Sequence, residues 1–188
     1  MDGWRKKRQI MRRYNITAGI YDMRYAEEQT AKIEAALQHV KISKNDCVLD
    51  VGCGTGFLFD YVTNKAKVTV GLDISKKSLL EAKQRAKSFR RIDLILADAA
   101  NMPLKDRLFS HVFAFTVIQN VPDPARMLIE IRRVSKDNAT FVVTGLKKLF
   151  SKEAFESMLR KAGLSIVVLE DEEKLKCYVA VCRNQPSF

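Results

Sequence analysis

An apolar run, CVLDV at 47–51, stops abruptly in three glycines within five residues: Gly52, Gly54 and Gly56. Glycine inside a strand or helix weakens it, because the unfolded chain loses more freedom there. Its repeated use after a strand marks a turn where backbone must come close to something, or take conformations that side chains forbid. A buried strand leading into such a turn, followed by a helical stretch from Gly56 to about Asn64, opens a β-α-β unit.

The rest of the chain continues the alternation. Strand-like runs fall at 67–73, 92–98, 111–118, 139–146, 164–170 and 176–182, and helical spacing recurs at 24–40 and 76–87. Pro122-Asp123-Pro124 starts a helix reaching about Val134, with Asp123 as its cap. Ser151 caps another, which stops at Gly163. Strands alternating with helices predict an α/β fold, doubly wound, with a mostly parallel seven-stranded sheet. The last two strands are separated only by DEEKL, too short for a crossover, so the final strand is expected to run antiparallel. We expect a basic N-terminal arm or lid at 1–25 and a single domain at 26–188.

Composition narrows the chemistry. Nearly half of the 188 residues are hydrophobic, so the chain is globular. No apolar run approaches a membrane span, and the charged N-terminus has no signal-like apolar stretch; a cytoplasmic protein is expected. The four cysteines form no CxxC pair and are expected as buried, reduced thiols. With only His39 and His111, neither a metal site nor a serine-histidine triad is expected. The net charge is +11, and residues 1–25 hold seven basic side chains against two acids, the pattern of a polyanion binder or of a solubilising tail.

In a doubly wound sheet the first strand-to-helix turn lies near the switch point where ligands bind. Asp73 ends the second strand, where an acid can hydrogen-bond both hydroxyls of a ribose. Asp98 ends the third, where it can meet an adenine amino group. The glycine spacing does not suit a dinucleotide, which needs a glycine three positions after Gly54. The Walker lysine is absent as well.

With VLDVGCGTG, GLDIS (71–75), ADAANMPL (97–104) and FTVIQNVPDP (115–124) in place, the chain resembles the class I S-adenosylmethionine-dependent methyltransferases from about residue 14 to 182. The last motif is similar to the "LHHVPDP" of a subgroup that includes quinone-biosynthesis enzymes. The resemblance implies the Rossmann-like fold with its antiparallel seventh strand, and S-adenosylmethionine as cofactor. It implies that Asp50 orients the glycine loop or approaches the methionine ammonium, and that Gly52, Cys53 and Gly54 line the methionine part. Asp73 then takes the ribose, Ile74 packs on adenine, Asp98 and the Ala99 amide read its edge, and Thr116 and Gln119 lie near the sulfonium.

Gln119 and Asn120 replace the subgroup's two histidines, removing an obvious base and supplying amides. Asn120 and Pro122 partially match the Asn/Asp-Pro-Pro-aromatic motif of enzymes that methylate exocyclic amines. Asn120, Gln119 and Pro122 are therefore the candidate catalytic positions. Arg12 and Arg13, interleaved with Tyr14, Tyr21 and Tyr25, suit phosphates and a stacked base. The leading expectation is methylation of a base in ribosomal or transfer RNA. The alternatives are a small molecule such as a quinone or lipid precursor, and a non-catalytic partner that binds cofactor or RNA.

Overall fold

Apolar, β-branched segments that alternate with capped amphipathic helices build one seven-stranded sheet. The computed structural model describes residues 3–185; Met1 and Asp2 of the expected arm and 186–188 of the expected domain lie outside them. The strands are β1 (Cys47–Val51), β2 (Val68–Asp73), β3 (Ile92–Leu96), β4 (Phe109–Ala114), β5 (Ser135–Leu146), β6 (Leu164–Glu170) and β7 (Cys177–Asn184). The helices are α1 (Gly3–Leu37), α2 (Phe59–Val62), α3 (Lys76–Ala86), α4 (Pro124–Val134) and α5 (Lys152–Lys161).

The strand order is β3-β2-β1-β4-β5-β7-β6. All neighbours pair parallel except β7, which is antiparallel to both β5 and β6. The expected antiparallel last strand is thus present, but it lies inside the sheet, and β6 forms the edge. Its place inside the sheet, between β5 and β6, explains its burial: Cys177 to Cys182 are all buried. All four cysteines are free, and Cys47 departs from the expected burial, being only half-buried at the start of β1.

The helix caps follow the sequence. Asp123 accepts from the Arg126 amide at 3.0 Å, and Pro124 occupies the first helical position, where no amide hydrogen is needed. Ser151 accepts from the Ala154 amide at 3.2 Å, and Gly163 ends α5 with φ +77°. Ser75 caps α3 through the Ser78 amide. Several elements are shorter than expected, among them β3, which ends at Leu96 and leaves Asp98 just beyond it. The helix after the glycine turn is regular only over α2, and β4 stops at Ala114, before the backbone turns at Thr116.

The largest departure is α1. Helical periodicity predicts a helix only from residue 24, yet α1 runs unbroken from Gly3, across the 25/26 boundary expected between arm and domain. Its C-terminal part follows ordinary burial, with Ile33, Ala35 and Ala36 in the core. Its N-terminal part lies over the carboxyl end of the sheet and is held by polar contacts, which leave no apolar period to read. Asn15 Oδ1 bonds with the Ser75 hydroxyl at 2.8 Å and accepts from the Lys77 amide at 3.1 Å. Asp22 accepts from the Thr55 hydroxyl and pairs with Arg85.

Parallel register aligns the ends of β1, β2, β3 and β4 on one rim: Val51 is level with Leu72, and Asp73 with Leu96. Because β1 lies between β2 and β4, the chain reverses its direction of travel across the sheet there. A crevice opens above β1, at the switch point.

Candidate functional site

The glycine turn is built by hydrogen bonds from one strand end to the next. The Gly52 and Cys53 amides both donate to the Leu72 carbonyl, at 2.7 and 3.0 Å. The Gly54 amide then donates to Asp73 Oδ2 at 2.9 Å, while Asp73 Oδ1 accepts from the Ser75 amide at 2.7 Å. Gly52 and Gly54 have φ of +68° and +55°. At Gly52 a Cβ would collide with a Val117 methyl group; above Gly54 there is open space. One glycine lets the protein pack on itself, and the other leaves room for a ligand.

Two cavities share this rim. The first is lined by Gly52, Gly54, Asp73, Ile74, Asp98, Ala99, Thr116, Asn120 and Pro122, with Lys7, Ile10, Tyr14 and Tyr21 of α1 above them. A small extension reaches Asp50 and Cys53 beneath Tyr21. All the expected cofactor positions therefore converge. Lys7 pairs with Asp98, whose Oδ1 also accepts from the Ala100 amide. In this conformation α1 narrows the first cavity to about 80 Å³.

The second cavity, about 830 Å³, adjoins the first along Tyr14, Tyr21, Thr116 and Asn120. Arg13, Arg24, Tyr25 and Gln119 line it, as do Lys147, Lys148 and Lys176 from the β5–α5 and β6–β7 connections. Arg12 is exposed on α1 and lines neither cavity. Gln119 Oε1 is buried and unpartnered.

At the junction, Thr116 adopts φ 60°, an uncommon conformation for a β-branched residue. Every polar atom it has is tied down. Its amide donates to Thr144 Oγ1 at 2.8 Å, its carbonyl accepts from Asn120 Nδ2 at 2.7 Å, and its hydroxyl accepts from Lys32 Nζ at 3.0 Å. Lys32 is 1% exposed and pairs with Glu28 at 2.7 Å. Asn120, expected as a catalytic amide, commits both amide hydrogens here: the second goes to the Tyr14 hydroxyl at 2.9 Å, and its Oδ1 accepts from Arg13 at 2.7 Å.

Burial sets the protonation states. Buried completely and near the Asp73 carboxylate, Asp50 has its pKa pushed up to about 8. Burial also raises Asp73, against the amides of Ser75 and Gly54 that favour its charge. Burial raises Tyr14 and Tyr21, so both are neutral phenols; Arg13 partly offsets this at Tyr14. Burial likewise raises the Cys53 thiol, which is therefore no nucleophile. Such a site fits a cationic amino-acid group at Asp50, a diol at Asp73 and an amine edge at Asp98.

Sequence reading missed Lys7, Gln29 and Lys32. Gln29, Lys32, Ile33 and Ala36 share the inward face of α1, so a lysine and a glutamine at buried helical positions were the available signal. Among the described residues no group of three or more His, Cys, Asp or Glu side chains could hold a metal ion, and no helix is long and apolar enough to cross a membrane.

A family described as "Methyltransferase domain" matches residues 49–143. A malonyl-[acyl-carrier protein] O-methyltransferase of Marinomonas is 31% identical over 76% of this chain and 53% of its own length. An uncharacterised protein of Methanocaldococcus jannaschii is 33% identical over 92% and 70%. A demethylmenaquinone methyltransferase of Bacillus licheniformis is 34% identical over 58% and 48%. The chain thus spans about half the length of the two relatives named for a substrate. Among solved structures, an S-adenosylmethionine-dependent methyltransferase of Aquifex aeolicus superimposes with a TM-score of 0.72 at 18% identity, over 80% of this chain and 88% of that one. A chain from the Haloferax volcanii complex of a methyltransferase with its Trm112 activator gives 0.74 at 17%, over 92% and 98%.

Proposed function

Since this chain belongs to the methyltransferase-domain family, within the S-adenosylmethionine-dependent class I fold, we propose that it transfers the cofactor's methyl group to a small acceptor held in the second cavity. The observation that carries this reading is the junction itself. The cavity above the glycine turn and the basic cavity beside it share Thr116, Tyr14 and Asn120, so a methyl group has a short path between them.

In this reading Asp73 holds the ribose hydroxyls, Ile74 packs on the adenine, and Asp98 and the Ala99 amide read its edge. Gly52, Cys53 and Gly54 flank the methionine part, and Asp50 faces its ammonium. The bound cofactor supplies an already activated sulfonium methyl group, so the protein's contribution is positioning and exclusion of water. Tyr14 and Tyr21 cover the junction, and their rings, 6.3 Å apart, continue to Tyr25 at 4.9 Å. This aromatic wall suits a planar or apolar acceptor body.

Two relatives whose names give a substrate act on an acyl-carrier-bound malonyl group and on demethylmenaquinone, which supports a small acceptor over RNA. One observation favours the RNA reading: Arg5, Lys6, Arg8 and Arg12 are exposed along α1. The two separate in one assay, which offers S-adenosylmethionine with a labelled methyl group, a low-molecular-weight extract and total RNA. Label in the small-molecule fraction, with little dependence on salt, supports the proposal. Label in RNA, falling steeply with salt, replaces it. Failure to bind S-adenosylhomocysteine in calorimetry removes the methyltransferase reading altogether.

A further inference from the structure

The hydrogen bonds of the junction restrict what the acceptor can be. A hydroxyl has one hydrogen to donate and two lone pairs to accept with. Tyr14 Oη accepts from Asn120 Nδ2 at 2.9 Å and from Arg13 at 3.2 Å. The orientation of Asn120 is fixed independently: its amide nitrogen must face the Thr116 carbonyl, and its oxygen must face Arg13. Both lone pairs of Tyr14 are therefore used, and its hydrogen is left for the cavities it lines.

The same holds at Thr116. Its hydroxyl accepts from the Lys32 ammonium at 3.0 Å and from Gln29 Nε2 at 3.4 Å. With the Lys32 ammonium and the Gln29 amide both donating, both lone pairs are used and the Thr116 hydrogen is left for the cavities. Two hydroxyls that line both cavities are thus left as donors where the cavities meet. Behind them stand the cations Lys32 and Arg13, with Arg24, Lys147, Lys148 and Lys176 around the second cavity. Two carboxylates also line that cavity. Glu173 is exposed on the β6–β7 connection. Glu28 is tied to Lys32 at 2.7 Å and Lys176 at 3.3 Å, and these partners hold its pKa down against the effect of burial, so it is no free base. Gln119 does not choose between ligands, since rotation of its terminal amide presents oxygen or NH₂ to the cavity.

Resting on the proposed methyl transfer, we propose that the group methylated is an anionic oxygen, a carboxylate or a phenolate, received by the Tyr14 and Thr116 hydroxyls. An amine would bring N–H donors against O–H donors and would need a base for its proton. An oxyanion meets both hydroxyls with lone pairs and arrives without a proton to lose. In the step, a lone pair of the acceptor oxygen forms the new C–O bond. The bond between the methyl carbon and the sulfonium sulfur breaks with its electron pair left on sulfur. The anion and the sulfonium are both neutralised, and no proton is transferred.

The experiment has three parts on the full chain. Affinities for S-adenosylhomocysteine and for methylthioadenosine, which lacks the amino-acid carboxylate, are measured by calorimetry on wild type, Tyr14→Phe and Thr116→Ser. The protein loaded with S-adenosylhomocysteine is then titrated with benzoate, nitrophenolate and aniline, followed by NMR. Finally, product made with an isotopically labelled methyl carbon is examined by NMR, where O-, N- and C-methyl groups separate by chemical shift.

We expect benzoate or nitrophenolate to bind in preference to aniline. Tyr14→Phe should weaken that binding by about tenfold, as for loss of a hydrogen bond to a charged group. Thr116→Ser keeps the hydroxyl and should retain it. S-adenosylhomocysteine affinity should stay within about twofold, and the product should carry an O-methyl group. Preference for aniline, or a methyl group on nitrogen or carbon, overturns the proposal. So does loss of S-adenosylhomocysteine affinity in Tyr14→Phe with methylthioadenosine unaffected, which would assign the donors to the cofactor's own carboxylate. Absence of any S-adenosylhomocysteine binding by wild type would instead strike the methyltransferase reading beneath it.

Discussion

Gly54 donates its amide hydrogen to Asp73 at 2.9 Å, so the glycine turn and the acidic end of the neighbouring strand form one unit. Asp73→Ala should therefore disturb the turn as well as remove a ligand group. Hydrogen bonds to a charged partner are worth about 1.5–3 kcal/mol, so S-adenosylhomocysteine affinity should fall by roughly ten- to 150-fold. Calorimetry on the variant checks this, and unchanged affinity would remove Asp73 from the cofactor site.

Gly52 and Gly54 share a left-handed backbone but should fail differently when given a methyl group. Gly52→Ala drives a Cβ into Val117 and should lose about 2–4 kcal/mol of stability from overpacking and strain. Gly54→Ala meets nothing within 4 Å and should lose only about 1 kcal/mol, yet bind the cofactor more weakly. Denaturant melts paired with calorimetry separate the two effects.

Asp50 should make cofactor binding a proton-releasing reaction. With its pKa pushed up to about 8, it is mostly protonated at neutral pH in the free protein, and an ammonium beside it favours the carboxylate. Binding near neutrality should release close to one proton, and less as the pH rises past that pKa. Calorimetry in buffers of different ionisation enthalpy measures the number. Asp50→Asn should abolish it. The same shift predicts the sign for folding. The folded state holds this proton more tightly than the unfolded chain, so stability should decline as pH rises from about 4 to about 8, and the Asn variant should lack that decline.

Lys7 competes for Asp98. Their side chains are each 23% exposed. A pair of this kind is worth up to about 1 kcal/mol. Lys7→Met should bind S-adenosylhomocysteine up to about fivefold more tightly and associate faster. Stopped-flow fluorescence of Trp4, on the same helix, would report the rate, and slower association would assign Lys7 to ligand capture instead.

The sheet and the rim of the candidate site were legible because local rules coincide there. VLDVGCGTG, Asp73 and Asp98 are each a strand followed by a turn residue, and parallel register then brings them together without long-range information. The place of β7 between β5 and β6 was not legible. Loop length fixes its direction relative to β6, but not which neighbour it chooses. The N-terminal part of α1 was hidden for another reason. It is held by Asn15, Asp22 and Lys7 through polar contacts to Ser75, Thr55 and Asp98, and such contacts leave no periodic trace. The basic residues of 1–25 read as an arm, whereas in the structure Lys7 lines the first cavity, Arg13 lines the second and Arg12 faces solvent. The junction joins Thr116 to Lys32, 84 residues away in the chain, so it could only be seen once the chain was folded.

The helix α1 has 35 residues. At the usual rise per residue it is about 50 Å long, and it is anchored in the core by the buried stretch around Ile33. Lys7 and Tyr14 line the first cavity and Tyr21 and Glu28 the second, all on this one helix, so occupancy of one cavity should be felt at the other. Turnover should then keep a strict sequence: nucleoside in first, acceptor second, methylated product out, spent nucleoside last. Steady-state rates would show it as inhibition by S-adenosylhomocysteine that is competitive toward the methyl donor and non-competitive toward the acceptor.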